Sequence, residues 1–295
     1  MNTLLIAVLA GLGGMLGWGF ADFFAKKTID KIGDVTTLFW GQLIGIMPIL
    51  ILFLFHPTLP TLGTNGYVYL VFLGIWSGLS YIPTYIAFGK GKISLLSPIF
   101  ASYAVVVSIL SAIFFGELIP GSRIAAFVIV FVGILLVNGD PRMVWSTLTG
   151  KERSPDAVKG LPEIFLAIVL YSLWLIALDQ FVSGNDWVPF LLVIRIFSSI
   201  SLFIYAKLRH INLMFSDQTV WKFLVGIGAF DVAAFAFVSW GYSVSPFVSV
   251  VTMLSAAFSL PTIILARIFL KERATILQTV GTTVIIFGVV LVAIL

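Results

Sequence analysis

Phe131-Val132-Gly133-Ile134-Leu135-Leu136-Val137 is answered about 155 residues later by Ile286-Phe287-Gly288-Val289-Val290-Leu291-Val292. A glutamate stands 16 residues before each glycine, Glu117 in the first case and Glu272 in the second. On the same shift Ile93-Ser94 falls on Val248-Ser249, and Trp18 lies close to Trp174. Apolar helices match by chance, so the glycines alone are weak. The repeated Glu–Gly spacing, taken with the charge pattern, reads as two copies of one unit.

Ten apolar stretches run along the chain: 4–25, 35–55, 66–88, 94–115, 122–138, 163–182, 188–206, 220–242, 246–269 and 274–294. Each has about the 20 residues that cross a hydrocarbon core of ~30 Å. The loops between them alternate in charge. Loop 1 carries Lys26, Lys27 and Lys31, and loop 3 carries Lys90 and Lys92. Loop 5 has Arg142, Lys151, Arg153 and Lys159; loops 7 and 9 have Lys207, Arg209, Lys222 and Arg267, Lys271, Arg273. Only Arg123 lies on the other side, and Arg195 falls within a stretch. Basic loops stay cytoplasmic, so the odd-numbered loops are expected inside and both termini outside, in a multi-pass protein of the cytoplasmic (cell inner) membrane. The basic loops are the first and third of the first unit but the second and fourth of the second. An odd number of spans inserts the second copy upside down, and inverted repeats are typical of secondary transporters. The expected fold is therefore all-α and integral to the membrane: ten transmembrane helices as two inverted five-helix repeats, residues 1–139 and 161–295, joined by a cytoplasmic connector at 140–160.

Composition narrows the function. The chain is 60% hydrophobic and 10% charged, whereas soluble domains carry about 25% charge. The net charge of +4 needs no nucleic-acid partner, because the loop bias accounts for it. The absence of cysteine removes disulfides and thiolate chemistry. Met1-Asn2-Thr3 lacks the basic start of a signal peptide, so the first stretch is expected to be a retained helix. There is no G-x-x-x-x-G-K-[ST] loop and no H-E-x-x-H, and His56 and His210 both sit at stretch ends. No cofactor or metal is expected.

Leu16-Gly17-Trp18-Gly19-Phe20, and the paired Glu117 and Glu272 each followed by a short glycine-containing helix, resemble the EamA-like branch of the drug/metabolite transporter superfamily. The resemblance covers essentially the whole chain. It implies a carrier of two inverted five-helix bundles, with a central cavity lined by the first four helices of each and small-metabolite cargo, often amino acids moving outward. Two features depart from that pattern. Asp22 stands where a neutral polar residue is more usual, and the early prolines of the fourth and ninth helices are displaced to Pro98 and Pro261.

Charges within bilayer-spanning helices are costly and mark sites. Asp231 is midway along the eighth stretch and Arg195 about a third of the way into the seventh, so the two reach similar depth. Two readings stand: a structural ion pair, or a cavity pair in which Arg195 holds a substrate carboxylate in bidentate fashion and Asp231 an amine or a transported proton. Asp22, one turn before Lys26 and Lys27, reads as an interfacial residue paired with those lysines, or as part of a gate. Asp179 is its rough counterpart near the other mouth. Gln42 occupies in helix two the place of Arg195 in helix seven, offering a hydrogen bond to cargo or a helix contact. Glu117 and Glu272 are expected to bridge to Arg123 and Arg273 at the hairpin turns.

Trp18 and Trp174, two turns inside the membrane, are the preferred cavity aromatics, with Tyr85 and Tyr103 beside them; Trp40 and Trp187 fit an interfacial belt. Gly13/Gly17, Gly41/Gly45 and Gly74/Gly78 fit close helix packing. Pro48, Pro83, Pro98 and Pro261 interrupt helices, and Pro98 with Pro261 form the matched pair for gating. The expected function is alternating-access transport of a small organic metabolite, an amino acid or related zwitterion or amine, with proton-coupled export as one form. The alternatives are a facilitative carrier or importer of an organic cation, sugar or nucleoside-like solute, and, further off, an intramembrane enzyme or a non-transporting receptor. The expected partners are that small molecule, the lipid bilayer and, in the coupled form, a proton. The chain is expected to act as a monomer, with a homodimer the alternative.

Overall fold

A computed structural model of the chain describes residues 3–55, 57, 62–115, 120–138, 159–182, 187–244 and 248–294. Twelve α-helices follow in order among them: α1 Thr3–Ile32, α2 Asp34–Phe55, α3 Thr64–Lys90, α4 Ile93–Ala101, α5 Tyr103–Phe115, α6 Gly121–Asn138, α7 Leu161–Val182, α8 Trp187–Leu208, α9 Trp221–Val244, α10 Val248–Ala256, α11 Ser259–Phe269 and α12 Ile276–Ile294. A 3-10 turn, Gln218–Val220, precedes α9. No strand occurs among the described residues. Among the described residues, seven segments are long and apolar enough to span a membrane; three more, Ile124–Leu136, Leu254–Phe269 and Ile276–Leu291, are apolar but shorter. Each of the ten expected stretches contains helix among the described residues, and seven reach spanning length.

Two boundaries differ from expectation, each for a local reason. α1 does not stop near residue 25 but runs on to Ile32, so Lys26, Lys27 and Lys31 lie on its last turns rather than in a loop. No helix breaker intervenes until Gly33, whose φ of 87° is the left-handed conformation glycine takes past a helix end. The fourth and ninth stretches are each two helices. Ser102 N–H and Val105 N–H make three-residue bonds to Ile99 O and Ser102 O between α4 and α5. Between α10 and α11, Pro261 has no N–H for Ala257 O, and Leu260 N takes that carbonyl at 2.9 Å instead.

Equivalent helices of the two copies pack on one another, α2 on α8 and α6 on α12, while α4 packs on α11, α1 on α9 and α3 on α7. They run antiparallel. Val35 and Leu38 at the start of α2 meet Leu202 and Ala206 near the end of α8, whereas Ile49 meets Val188 and Leu191 at its start. Glycines set the spacing of the last pair. A Cβ on Gly133 would stand 2.7 Å from Ile285 N, and one on Gly288 3.0 Å from Val130 N. In lipid such close backbone packing supplies what the hydrophobic effect does not. The outer faces carry exposed Leu54, Ile113, Phe131 and Ile268, and the interior holds Ser77, Thr84, Ser97, Ser198 and Arg195. That is the polarity expected of a bundle solvated by hydrocarbon.

At the end the charge pattern assigns to the cytoplasm, polar bonds join the copies. Lys31 pairs with Asp217 at 2.9 Å, and Lys90 pairs with Glu163. Thr219 and then Lys31 hold the Asp217 carboxyl down to about 2. Glu272 does not bridge to Arg273; its carboxylate accepts the Ile93 and Ser94 backbone N–H at 3.1 and 3.0 Å. The free N–H groups and positive dipole end of α4 attract a carboxylate more effectively than an adjacent exposed arginine. Glu117 and the connector residues 140–158 lie outside the described residues.

Candidate functional site

A cavity opens between the copies, walled by α1, α2, α3, α4 and α5 from the first and by α7, α8, α9 and Phe258 from the second. Its volume, measured by where the centre of a water can sit, is about 80 Å³, room for a few waters. In this conformation it fits only a compact solute.

Its polar floor is built by three helices. Arg195 on α8 donates from Nη1 to Gln42 Oε1 at 3.0 Å and from Nη2 to Asp231 Oδ2. One glycine leaves room for the guanidinium and a second lets α9 approach α2 closely. A Cβ on Gly45 would stand 2.9 Å from Arg195 Nη1, and a Cβ on Gly228 would stand 2.8 Å from Gly45 N. Gly41-x-x-x-Gly45 therefore admits a charge as well as a helix. Gly228 has no such spacing signature, and its role shows only in the contact. Arg195 and Asp231 are ion-paired, and both line the cavity.

Asp22 departs from its expected setting. The extra two turns of α1 place it about 15 Å from the helix end at 1.5 Å per residue, on the cavity wall. It does not pair with the lysines: Lys26 Nζ turns to Asp30 and to Phe88 O at 2.8 and 2.7 Å. Lys27 lies over the Phe23 and Phe223 rings. The Asp22 carboxylate accepts from Ser97 Oγ at 3.0 Å, one residue before Pro98. The partner is 75 residues distant, beyond the reach of local sequence pattern.

Aromatic rings form the remaining walls in two groups. Trp18 on α1 meets Phe235 and Phe258 edge-on, with centroids 5.4 and 6.3 Å apart. Across the cavity Tyr171 sits among Tyr81, Phe100, Tyr103 and Trp174 at 5.0–5.6 Å. The Trp174 indole N–H is tied to Leu73 O at 2.9 Å. On the repeat shift Trp18 answers Trp174 and Tyr103 answers Phe258, so the groups are related boxes of different polarity. Tyr85 also lines the cavity. Tyr171, Phe100, Phe235 and Phe258 were not singled out in sequence, where a ring in an apolar run looks like any other lipid-facing or packing residue. Pro261 lies against Gly19 behind the Trp18 box, where Thr262 Oγ1 donates to Gly19 O at 3.1 Å. The Asp179 side chain lies outside the described residues.

The sequence profile of the EamA-like transporter family matches residues 5–139 and again residues 158–294. A comparison with curated proteins gives no match. Among solved structures, one described only as a crystal structure of protein superposes with a TM-score of 0.65 at 14% identity, covering 97% of this chain and 96% of that one. At that identity the likeness shows the fold alone.

Proposed function

Since the chain belongs to the EamA-like transporter family, we propose that it is a secondary carrier moving a small organic metabolite across the membrane by alternating access. Membership makes it a multi-pass membrane transporter; cargo and mechanism are our reading. The observation that carries it is the cavity between two antiparallel copies, where Arg195, Asp231, Gln42 and Asp22 converge within aromatic walls. A structural bundle gains nothing from placing a buried ion pair beside a void, because desolvation offsets its attraction. A carrier does, since cargo needs fixed partners at the midplane.

The repeat gives the movement. Rocking one copy against the other about α2–α8, α4–α11 and α6–α12 would open the cavity to each face in turn. The interrupted helices α4–α5 and α10–α11, with Pro98 and Pro261, are the elements that bend. The Lys31–Asp217 and Lys90–Glu163 pairs and the Glu272 cap must part when the cytoplasmic mouth opens. The two ion pairs are exposed and weakened by solvent, as surface pairs are, so they can break in turnover. Proton coupling is a further part of the reading. Asp231 is engaged by Arg195, which leaves Asp22 as the carboxyl open to exchange.

Counterflow in proteoliposomes tests the carrier: vesicles preloaded with one solute class should accelerate uptake of the same labelled solute. A complete absence of exchange across amino acids, amines, sugars and nucleosides would remove the reading.

A further inference from the structure

The carrier reading leaves the chemical class of the cargo open, and the distribution of charge around the cavity narrows it. Arg195 is the one cationic side chain among the described lining residues, and its guanidinium is already shared between Asp231 and Gln42. An anionic solute would compete there with an ionised carboxylate already bound to the guanidinium. Asp22, by contrast, has among the described residues a single neutral donor, Ser97, and no cationic partner. With both carboxylates ionised the described lining carries one negative charge in excess.

Two further observations concern the same cavity. Thr84 lines it, and among the described residues its buried hydroxyl has no hydrogen-bond partner, so a polar group reaching it would satisfy it. Trp18, one turn before Asp22, presents the ring type that binds cations most strongly, and Phe235 and Phe258 hold it edge-on. A buried carboxylate without a cation is unfavourable, and here cargo is the group placed to supply one.

Resting on the carrier reading, we propose that the cargo is a small organic cation, a protonated amine on an apolar or aromatic body. Asp22 is its counter-ion, Thr84 is a hydrogen-bond partner, and the Trp18 box holds its body. The Arg195–Asp231 pair stays closed and sets the cavity's polarity. Carboxylates without an amine are disfavoured by the excess negative charge of the described lining.

Four probes share one ring and differ in charge: benzylamine, benzyl alcohol, benzoate and phenylalanine. Binding of each to the purified full-length protein is measured by calorimetry, with thermal unfolding alongside. Benzylamine is expected to bind at least tenfold more tightly than the alcohol or the benzoate. Asp22→Asn should lose at least tenfold for benzylamine only, and Asp22→Glu should recover part of it. Equal or tighter binding of benzoate or the alcohol, failure of all four to bind, or unchanged benzylamine affinity in folded Asp22→Asn would overturn the proposal. If Asp22→Asn does not fold, the wild-type ranking and Asp22→Glu decide.

Counterflow with the same probes separates the two claims. Exchange of a neutral or anionic probe but not benzylamine would refute the cation and keep the carrier. Tight benzylamine binding, with no exchange of any solute, would refute the carrier and keep the site.

Discussion

Removing one member of the Arg195–Asp231 pair should cost far more than removing both. In Asp231→Asn the guanidinium keeps its charge in a place where its side chain is only 5% exposed, with Gln42 as its remaining partner. Breaking a buried pair in this way costs about 3–5 kcal/mol. Arg195→Met leaves instead the Asp231 carboxylate, whose side chain is 20% exposed and borders the cavity, so cavity water offsets part of the loss. We expect Asp231→Asn near the upper end of that range and Arg195→Met near the lower. The double variant has no orphaned charge and should fall within about 1 kcal/mol of wild type, since replacing both members is often close to neutral. Thermal unfolding in detergent reads the series. At roughly 2–4 °C per kcal/mol for larger domains, Asp231→Asn should lower Tm by about 10 °C or more, and adding Arg195→Met should restore most of it. Additive single and double variants, with coupling below about 0.5 kcal/mol, would refute the pair as a mutual interaction.

Three other outcomes follow from contacts described above. Glu272→Ala removes a carboxylate from the α4 N-terminus and should cost about 1–2 kcal/mol; Glu272→Gln, which keeps an acceptor, should cost less, as read by denaturant midpoints. Gly17→Ala gains about 1 kcal/mol of helix propensity. Its Cβ would nevertheless sit 2.7 Å from both Phe230 O and Ala234 Cβ, so overpacking of ~1–3 kcal/mol should win and Tm should fall. The Asp217 carboxyl is held at about 2 in the folded chain against an ordinary 3.8. A depressed carboxylate contributes stability above its unfolded value, and that contribution is lost as pH falls through the folded one. Asp217→Asn should therefore flatten the slope of Tm against pH between about 4 and 2, and an unchanged slope would contradict this.

Much of this architecture is legible because lipid imposes simple rules. Long apolar runs must be helices, since every backbone group needs an internal partner, and the basic residues mark one side. The ends were harder. α1 outruns its apolar stretch because lysines continue a helix as well as leucines do, and only Gly33 stops it. The breaks at Ser102 and at Ala257–Phe258 fall near Pro98 and Pro261, yet one follows its proline and the other precedes it. Site residues divide by reach. Arg195 and Asp231 stand out because charge is rare in such helices, and their similar depth made a pair conceivable. The bond from Ser97 to Asp22, the cap of Glu272 on α4 and the gathering of rings about Tyr171 join distant helices. No spacing within one helix encodes them.

Gln42 and Arg195 are each the ninth residue of their helices, α2 and α8, and they touch. Counted from the helix starts the two positions match, so their contact lies close to the axis relating the copies. Had two first copies assembled as a pair, carboxamide would face carboxamide, a neutral and compatible contact. Two second copies would instead bring two guanidiniums together in a space that Gly45 clears for one. Asp231, whose counterpart on the repeat shift is Trp76, likewise comes from one copy alone. The charged centre is therefore asymmetric, its arginine and its aspartate both supplied by the second half of the chain.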